Sequence, residues 1–283
     1  SWRQRRSDGG RILRWARYGM SSLHAAFANA QSENRAALIA YIPAGFPTVE
    51  KCYDLVRAII DGGADIVEVG WPYSDPLMDG PTIQVAAEMA LKNGAHSADV
   101  FNTVAVVADA GAVPLVMSYW NLIERYGVDK FSAQLAEAGG VGVITADLTP
   151  EEAGPWIEAT ENNSIDRIFL VAPSSTNERL AIVSAATSGF VYAASLMGVT
   201  GTRESVSADA EKLVARTRAV TDLPVAVGLG VSTPEQAASI ARYADGVIVG
   251  SAYIKAVLEA ESHEQAVVAV RTLSAALAQG VRR

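Results

Sequence analysis

The sequence predicts a single-domain (β/α)8 barrel with extra helices. Eight short apolar stretches alternate with helical segments across the chain, and no linker or composition shift divides them. Short apolar strands separated by amphipathic helices form parallel βαβ units, and eight of them in this length fit a closed barrel better than an open sheet. No GxGxxG follows the first strand, which argues against a dinucleotide-binding sheet.

Each element has its own signal. A helical stretch around 23–34 precedes the first strand, 37–42, which ends in the turn PAGFP at 43–47. A helix at 49–61 places Cys52, Leu55, Val56 and Ile59 at three- and four-residue spacing and stops at Gly62-Gly63. The second strand, 65–69, breaks into a loop with Pro72, Pro76 and Gly80. Pro81 then suits the entry of a helix over 82–93. A helix at 97–110 leads to a third strand at 113–117 and a polar-aromatic turn, SYWN. A helix at 128–138, a strand at 141–145, a helix at 150–159 and a short strand at 168–171 follow. After a helix at 177–187 comes the sixth strand, 190–195, then a long polar loop, LMGVTGTRESVS, and a helix at 208–220. Strands at 224–227 and 246–249 flank a helix at 234–243, and a final helical region fills 252–279.

Composition narrows the function. Half of the 283 residues are hydrophobic, enough for a large core. No run of eighteen apolar residues is present, so no transmembrane helix is predicted. The single cysteine, Cys52, excludes an internal disulfide and fits a reducing compartment. His24, His96 and His263 share no ligand spacing, read as surface or cap residues, and predict no zinc site. The formal charge of -8 argues against nucleic acid as the main partner. Residues 1–19 carry six arginines and one aspartate. This basic extension is compatible with an organelle transit peptide. The preferred reading is that Met20 is the natural start and the barrel domain runs over 20–283, the extension coming from cloning sequence or an upstream start. Residues before Met20 in mass spectra of protein from the native host would overturn that reading.

The chemistry centres on Ile66 to Gln84. Period-2 alternation puts Ile66, Glu68 and Gly70 on one strand face and Val67 and Val69 on the other. With the valines against helices, Glu68 points into the barrel, where a carboxylate is costly unless it is protonated, paired or used. Asp79 lies near the end of the following loop. A half-buried Glu68 with a raised pKa and an ionised Asp79 on a mobile loop make an acid and a base. The alternatives are an ion pair for Glu68, with Arg167 the one strand cation available, and a turn or N-cap role for Asp79. Other polar residues also follow strands: Tyr119 and Asn121, Asp147, and Tyr192 on the sixth strand, where core packing is an equal reading. Three glycine turns come late: Gly198 to Gly201, Gly228 to Ser232, and Val249 to Ser251. Together they sit where such barrels commonly bind phosphate, the last with a helix amino terminus.

Several segments resemble the tryptophan synthase alpha chain family. They are EVGWPYSDPLMDGPTIQ (68–84), PAGFP, NLIERYGVDKF (121–131), ADLTPEE (146–152), YAASLMGVTGTR (192–203), GLGVS (228–232) and GSAY (250–253), in order over about 20–275. The resemblance implies a (β/α)8 barrel that cleaves indole-3-glycerol phosphate to indole and glyceraldehyde 3-phosphate by a retro-aldol reaction. It implies no cofactor in this chain, a partner beta chain carrying pyridoxal phosphate in an α2β2 complex, and a cytoplasmic enzyme. By the same resemblance, Glu68 and Asp79 are catalytic. Tyr41, Met117 and Tyr119 line the indole pocket, and Tyr192 lies near the substrate. Thr200 positions the aspartate, and Gly201, Gly230, Gly250 and Ser251 bind phosphate. The loops holding Asp79 and Thr200 would be mobile lids. One departure is Leu196, where well-known bacterial members carry an arginine that could pair across the closed lid. The other readings are a free-standing lyase that releases indole, a subunit that mainly activates the beta chain, and, from the fold alone, a phosphate-sugar isomerase. The last would want a lysine or histidine at a strand end, which the sequence lacks.

Overall fold

The computed structural model describes residues 21–195 and 203–283. The basic extension and Leu196, Thr200 and Gly201 lie outside the described residues.

Nine parallel strands form one sheet among the described residues: β1 (Ala37–Pro43), β2 (Ile66–Gly70), β3 (Val113–Ser118), β4 (Gly142–Thr145), β5 (Asp166–Ile168), β6 (Leu170–Val171), β7 (Val191–Ala194), β8 (Val225–Gly228) and β9 (Gly246–Val249). Their order is β5-β4-β3-β2-β1-β9-β8-β7-β6. Only Phe169 separates β5 from β6, and its carbonyl accepts from the Tyr192 N–H at 3.1 Å. The two are halves of one barrel strand. The sheet therefore closes on itself with eight staves, as expected.

The helices are α1 (Ser22–Ser32), α2 (Val49–Asp61), α3 (Pro81–Lys92), α4 (Ser97–Asp109), α5 (Trp120–Tyr126), α6 (Val128–Glu137), α7 (Gly154–Asn162), α8 (Asn177–Ala186), α9 (Arg203–Arg218), α10 (Pro234–Ala241), α11 (Ser251–Glu259) and α12 (His263–Gly280). Four differ from expectation. The SYWN turn is cut short because α5 begins at Trp120; a helix of seven residues is too brief to show a period, and Gly127 at φ 103° parts it from α6. The helix expected from 150 opens as a 3-10 turn, Pro150–Glu152, before α7. The serine-containing end of the polar loop, RESVS, is already helical from Arg203. The last helical region is two helices, because Ser262 caps α12 through its hydroxyl, which accepts from the Gln265 N–H. Among the described residues no helix is long and apolar enough to cross a membrane.

Alternation sorts the core into two layers. Val67 and Val69 face the helices, while Ile39, Ile66, Leu115, Ile144, Ile168, Phe190, Ala226 and Ile248 fill the barrel interior. Helix α1 plugs the amino-terminal end of that interior with Leu23, Phe27 and Ala30, and Phe27 meets Phe190 edge-on at 5.4 Å. Phe27→Ala would leave a cavity there. It is expected to cost about 3–5 kcal/mol, read as a lowered midpoint in urea unfolding with the slope unchanged.

Ion pairs tie the same end. Arg35 grips Asp65 with two nitrogens at 2.7 and 2.9 Å, and Asp65 also accepts from the Leu38 N–H. Arg218 and Asp245 repeat the arrangement ahead of β8 and β9, with Asp245 accepting from the Val225 N–H. Cys52 is buried in α2, as its spacing predicts. His96 caps α4 and His263 meets Asp54 at 2.9 Å. His24, expected at the surface, is buried beneath the barrel.

Candidate active site

The carboxyl ends of the strands open onto a cavity of about 370 Å3. Its walls include Tyr41, Glu68, Met117 and Tyr192 from the barrel and Met78 and Asp79 from the loop after β2. Gly228, Gly230, Gly250 and Ser251 close the side served by β8 and β9.

Adjacent strands set these side chains level. Parallel pairing aligns Tyr41 with Glu68 and Glu68 with Leu115, so Glu68 stands between the Tyr41 ring and the strand that carries Met117. Tyr192 pairs with Leu170 on one side and Ala226 on the other. The glycines make room for the rings. A Cβ at Gly70 would strike the Tyr41 hydroxyl, and one at Gly228 would sit 2.6 Å from the Tyr192 hydroxyl. Gly230 needs its freedom for another reason, a φ of +63°.

Glu68 is completely buried, not half-buried as the sequence suggested, because the barrel wall encloses it on every side but the cavity. Neither carboxylate oxygen has a hydrogen-bond partner. The ion-pair alternative fails: Arg167 donates to Thr160 and to the Ala186 carbonyl and meets Glu161 at 3.5 Å. Burial alone pushes the Glu68 carboxyl up to about 8. The Asp79 carboxyl is also raised by burial, and the neighbouring Tyr119 hydroxyl draws it part of the way back.

Tyr119 serves the loop and is not among the residues lining the cavity. Its hydroxyl accepts from the Met78 N–H at 2.9 Å and its ring lies 5.3 Å from that of Tyr73. Asn121 donates to the Tyr73 hydroxyl, and Asp147 accepts from the Trp120 N–H at 2.7 Å, so both brace the rim. Cavity residues that sequence reasoning missed include Met78, Ile83, Leu170, Ser195, Leu229 and Ile248. Strand phase would have found two of them: Leu170 lies two residues beyond inward-facing Ile168, and Ile248 two before Gly250.

Fold and site together define a (β/α)8-barrel enzyme with a buried, unpaired carboxyl at the floor of its mouth and a second carboxyl on the loop above. Residues 27–282 match the family model described as tryptophan synthase alpha chain. The tryptophan synthase alpha chain of Thermobifida fusca is 59% identical over 266 residues, covering 93% of this chain and 98% of that one. That of Streptomyces coelicolor is 57% identical, covering 92% and 96%. A crystal structure of tryptophan synthase from M. tuberculosis in an open form superposes with a TM-score of 0.86 at 49% identity, covering 93% of this chain and 99% of that one. The alpha subunit from Legionella pneumophila superposes at 0.84 with 32% identity, covering 93% and 99%. The chain belongs to the tryptophan synthase alpha chain family. It is a carbon–carbon lyase acting on indole-3-glycerol phosphate, and its family works with a beta chain.

Proposed function

We propose that Glu68 and Asp79 divide the proton transfers of the retro-aldol cleavage. The observation that carries this is Glu68: fully buried, without a partner on either oxygen, and open only to the cavity that Asp79 caps. Held neutral near pH 7, Glu68 donates its proton to C3 of the indole ring while Asp79 takes the ring N–H proton, leaving an indolenine. Glu68, now a carboxylate, accepts the proton of the glycerol hydroxyl next to the ring. The bond from C3 to that carbon breaks, its electrons return to the ring, and Asp79 returns the proton to nitrogen. Indole and glyceraldehyde 3-phosphate leave, and both carboxyls are restored. Such groups each contribute about 10²–10⁴-fold.

The rest of the cavity binds and orients. Met117 and the rings of Tyr41 and Tyr192 receive the indole, and Tyr119 holds the Asp79 loop by its contact with the Met78 N–H. Gly230, Gly250 and Ser251 receive the phosphate, at the amino terminus of α11. Thr200 and Gly201 join this set by family resemblance. Gly70→Ala tests the packing, since its methyl must displace the Tyr41 hydroxyl. A roughly 10–100-fold loss in kcat/KM is expected, with urea unfolding little changed.

The alpha chain works in an α2β2 complex in the cytoplasm, the beta chain supplying pyridoxal phosphate and consuming the indole. The loop between β2 and α3 faces that partner; its Leu77 is 85% exposed. The test is indole release from indole-3-glycerol phosphate by the purified chain, alone and with a beta chain from the same source. Slow release alone and strong stimulation by the partner are expected. Equally fast release without the partner would make the chain a free-standing lyase.

A further inference from the structure

We propose that the barrel carries a second binding site at its amino-terminal end, and that this site takes a small zwitterion of the α-amino-acid type with an apolar side chain. A cavity of about 970 Å3 opens there, bounded by the start of α1, by the segments just ahead of β4, β5, β7 and β8, and by α8. This end of a barrel ordinarily serves stability. Three features set this cavity apart.

The first is a pair of orphaned polar atoms just behind its wall, neither of them open to solvent. His24 is 3% exposed, and its Nε2 lies 3.0 Å from the carbonyls of both Ser188 and Gly189. Carbonyls only accept, so Nε2 carries the hydrogen and Nδ1 presents a lone pair. That lone pair has no partner. Ser184, 5% exposed, has no partner for its hydroxyl either. A serine within a helix ordinarily returns its hydroxyl to a carbonyl of the preceding turn. Both residues line the cavity, and buried polar atoms are ordinarily bonded.

The second feature is charge of both signs. Arg167 is 8% exposed. Its Nε donates to the Ala186 carbonyl and its Nη1 to the Thr160 hydroxyl, each at 3.0 Å, while the largely exposed Glu161 comes no nearer than 3.5 Å. Of five guanidinium hydrogens, three remain without a partner nearer than 3.5 Å. On the other face of β5, the Asp166 carboxylate accepts from the hydroxyls of Ser21 at 2.7 Å and Ser188 at 3.0 Å, one on each oxygen. Each oxygen keeps a free lone pair. The third feature is an apolar wall of Val141, Ile165, Val220 and Leu223.

A simple anion here would face Asp166, and a simple cation would face Arg167. A molecule with both charges satisfies both. Its carboxylate lies on the Arg167 guanidinium. Its ammonium lies on the Asp166 carboxylate, and its side chain covers the apolar wall. None of these groups belongs to the catalytic cavity, so the inference does not rest on the roles given to Glu68 and Asp79.

The test is a calorimetric titration of the full chain with L-phenylalanine, with phenethylamine and 3-phenylpropionate as analogues lacking one charge each. Saturable binding of the amino acid is expected, with each analogue weaker by roughly tenfold or more. Binding should persist in Glu68→Gln and vanish in Arg167→Met and in Ala185→Trp. Ala185 is exposed at the cavity wall, so a large ring there plugs the site without entering the core. That variant decides the matter if Arg167→Met does not fold. Equal binding of the three probes, no saturation at tens of millimolar, survival of binding in Ala185→Trp, or its disappearance in Glu68→Gln would each overturn the proposal.

Discussion

Glu68→Gln is expected to lower the rate of indole-3-glycerol phosphate cleavage by about 10²–10⁴-fold, while unfolding the protein no more easily. Glutamine keeps the shape and fills the same space but can neither give nor take the proton. The loss should fall in kcat more than in KM, because the proton moves in the transition state and not on binding. The wild-type rate should decline as pH rises through about 8, where the buried carboxyl loses its proton. The stability of the protein should show the same group. The folded state holds the Glu68 proton up to about 8, against 4.5 for an ordinary glutamate. Between those values the folded chain binds more protons than the unfolded one, so wild-type stability falls as pH rises across that window. Glu68→Gln removes this dependence. At pH 9 the variant should be the more stable by roughly 5 kcal/mol, and at pH 4 the difference should be gone. Urea titrations of both proteins at the two pH values measure it, and parallel pH dependences would show that Glu68 is not buried and neutral.

Asp79→Asn is the second large effect. An amide cannot accept the ring N–H proton, so kcat/KM should fall by about 10²–10⁴-fold. Asp79 sits on a loop, and two contacts hold that loop without its carboxyl: the Met78 N–H donates to Tyr119, and the Gln84 side chain donates to the Asp79 carbonyl; the Tyr119 hydroxyl beside the carboxyl can donate to an amide oxygen as well. Thermal unfolding should therefore be unchanged, and loss of activity with an intact fold separates a chemical role from a structural one. The wild-type activity should also have a rising limb at acid pH, placed above the ordinary aspartate range because burial raises the Asp79 carboxyl. Asp79→Asn should abolish that limb and keep the decline near 8. Unaltered activity in this variant would remove Asp79 from the proton transfers.

Much of the architecture was legible before any coordinates. The eight staves, the inward face of Glu68 and the outward faces of Val67 and Val69 follow from a period of two, which a buried parallel strand must obey. The glycine turns after the last two strands do border the cavity, since the ends of parallel strands all lie at one mouth, while Gly198 to Gly201 lie outside the described residues. Short or polar helices escaped, as with α5 and the first turns of α9, because seven residues or a serine-rich turn carry no readable period. His24 escaped because one histidine in a helix says nothing about what packs beneath it; its neighbours Ser188 and Gly189 are more than 160 residues away in the chain.

The sequence by itself determined the order of the strands, the face each residue takes, and the family to which the motifs point. All three are local properties of spacing and residue type. The tertiary structure alone decided how deeply Glu68 is buried, that Arg167 turns to Thr160 and Ala186, and that Tyr119 braces the Asp79 loop. It also placed a polar cavity at the far end of the barrel. Desolvation and hydrogen bonding depend on which distant segments close around a group, and closing the barrel brings those segments together.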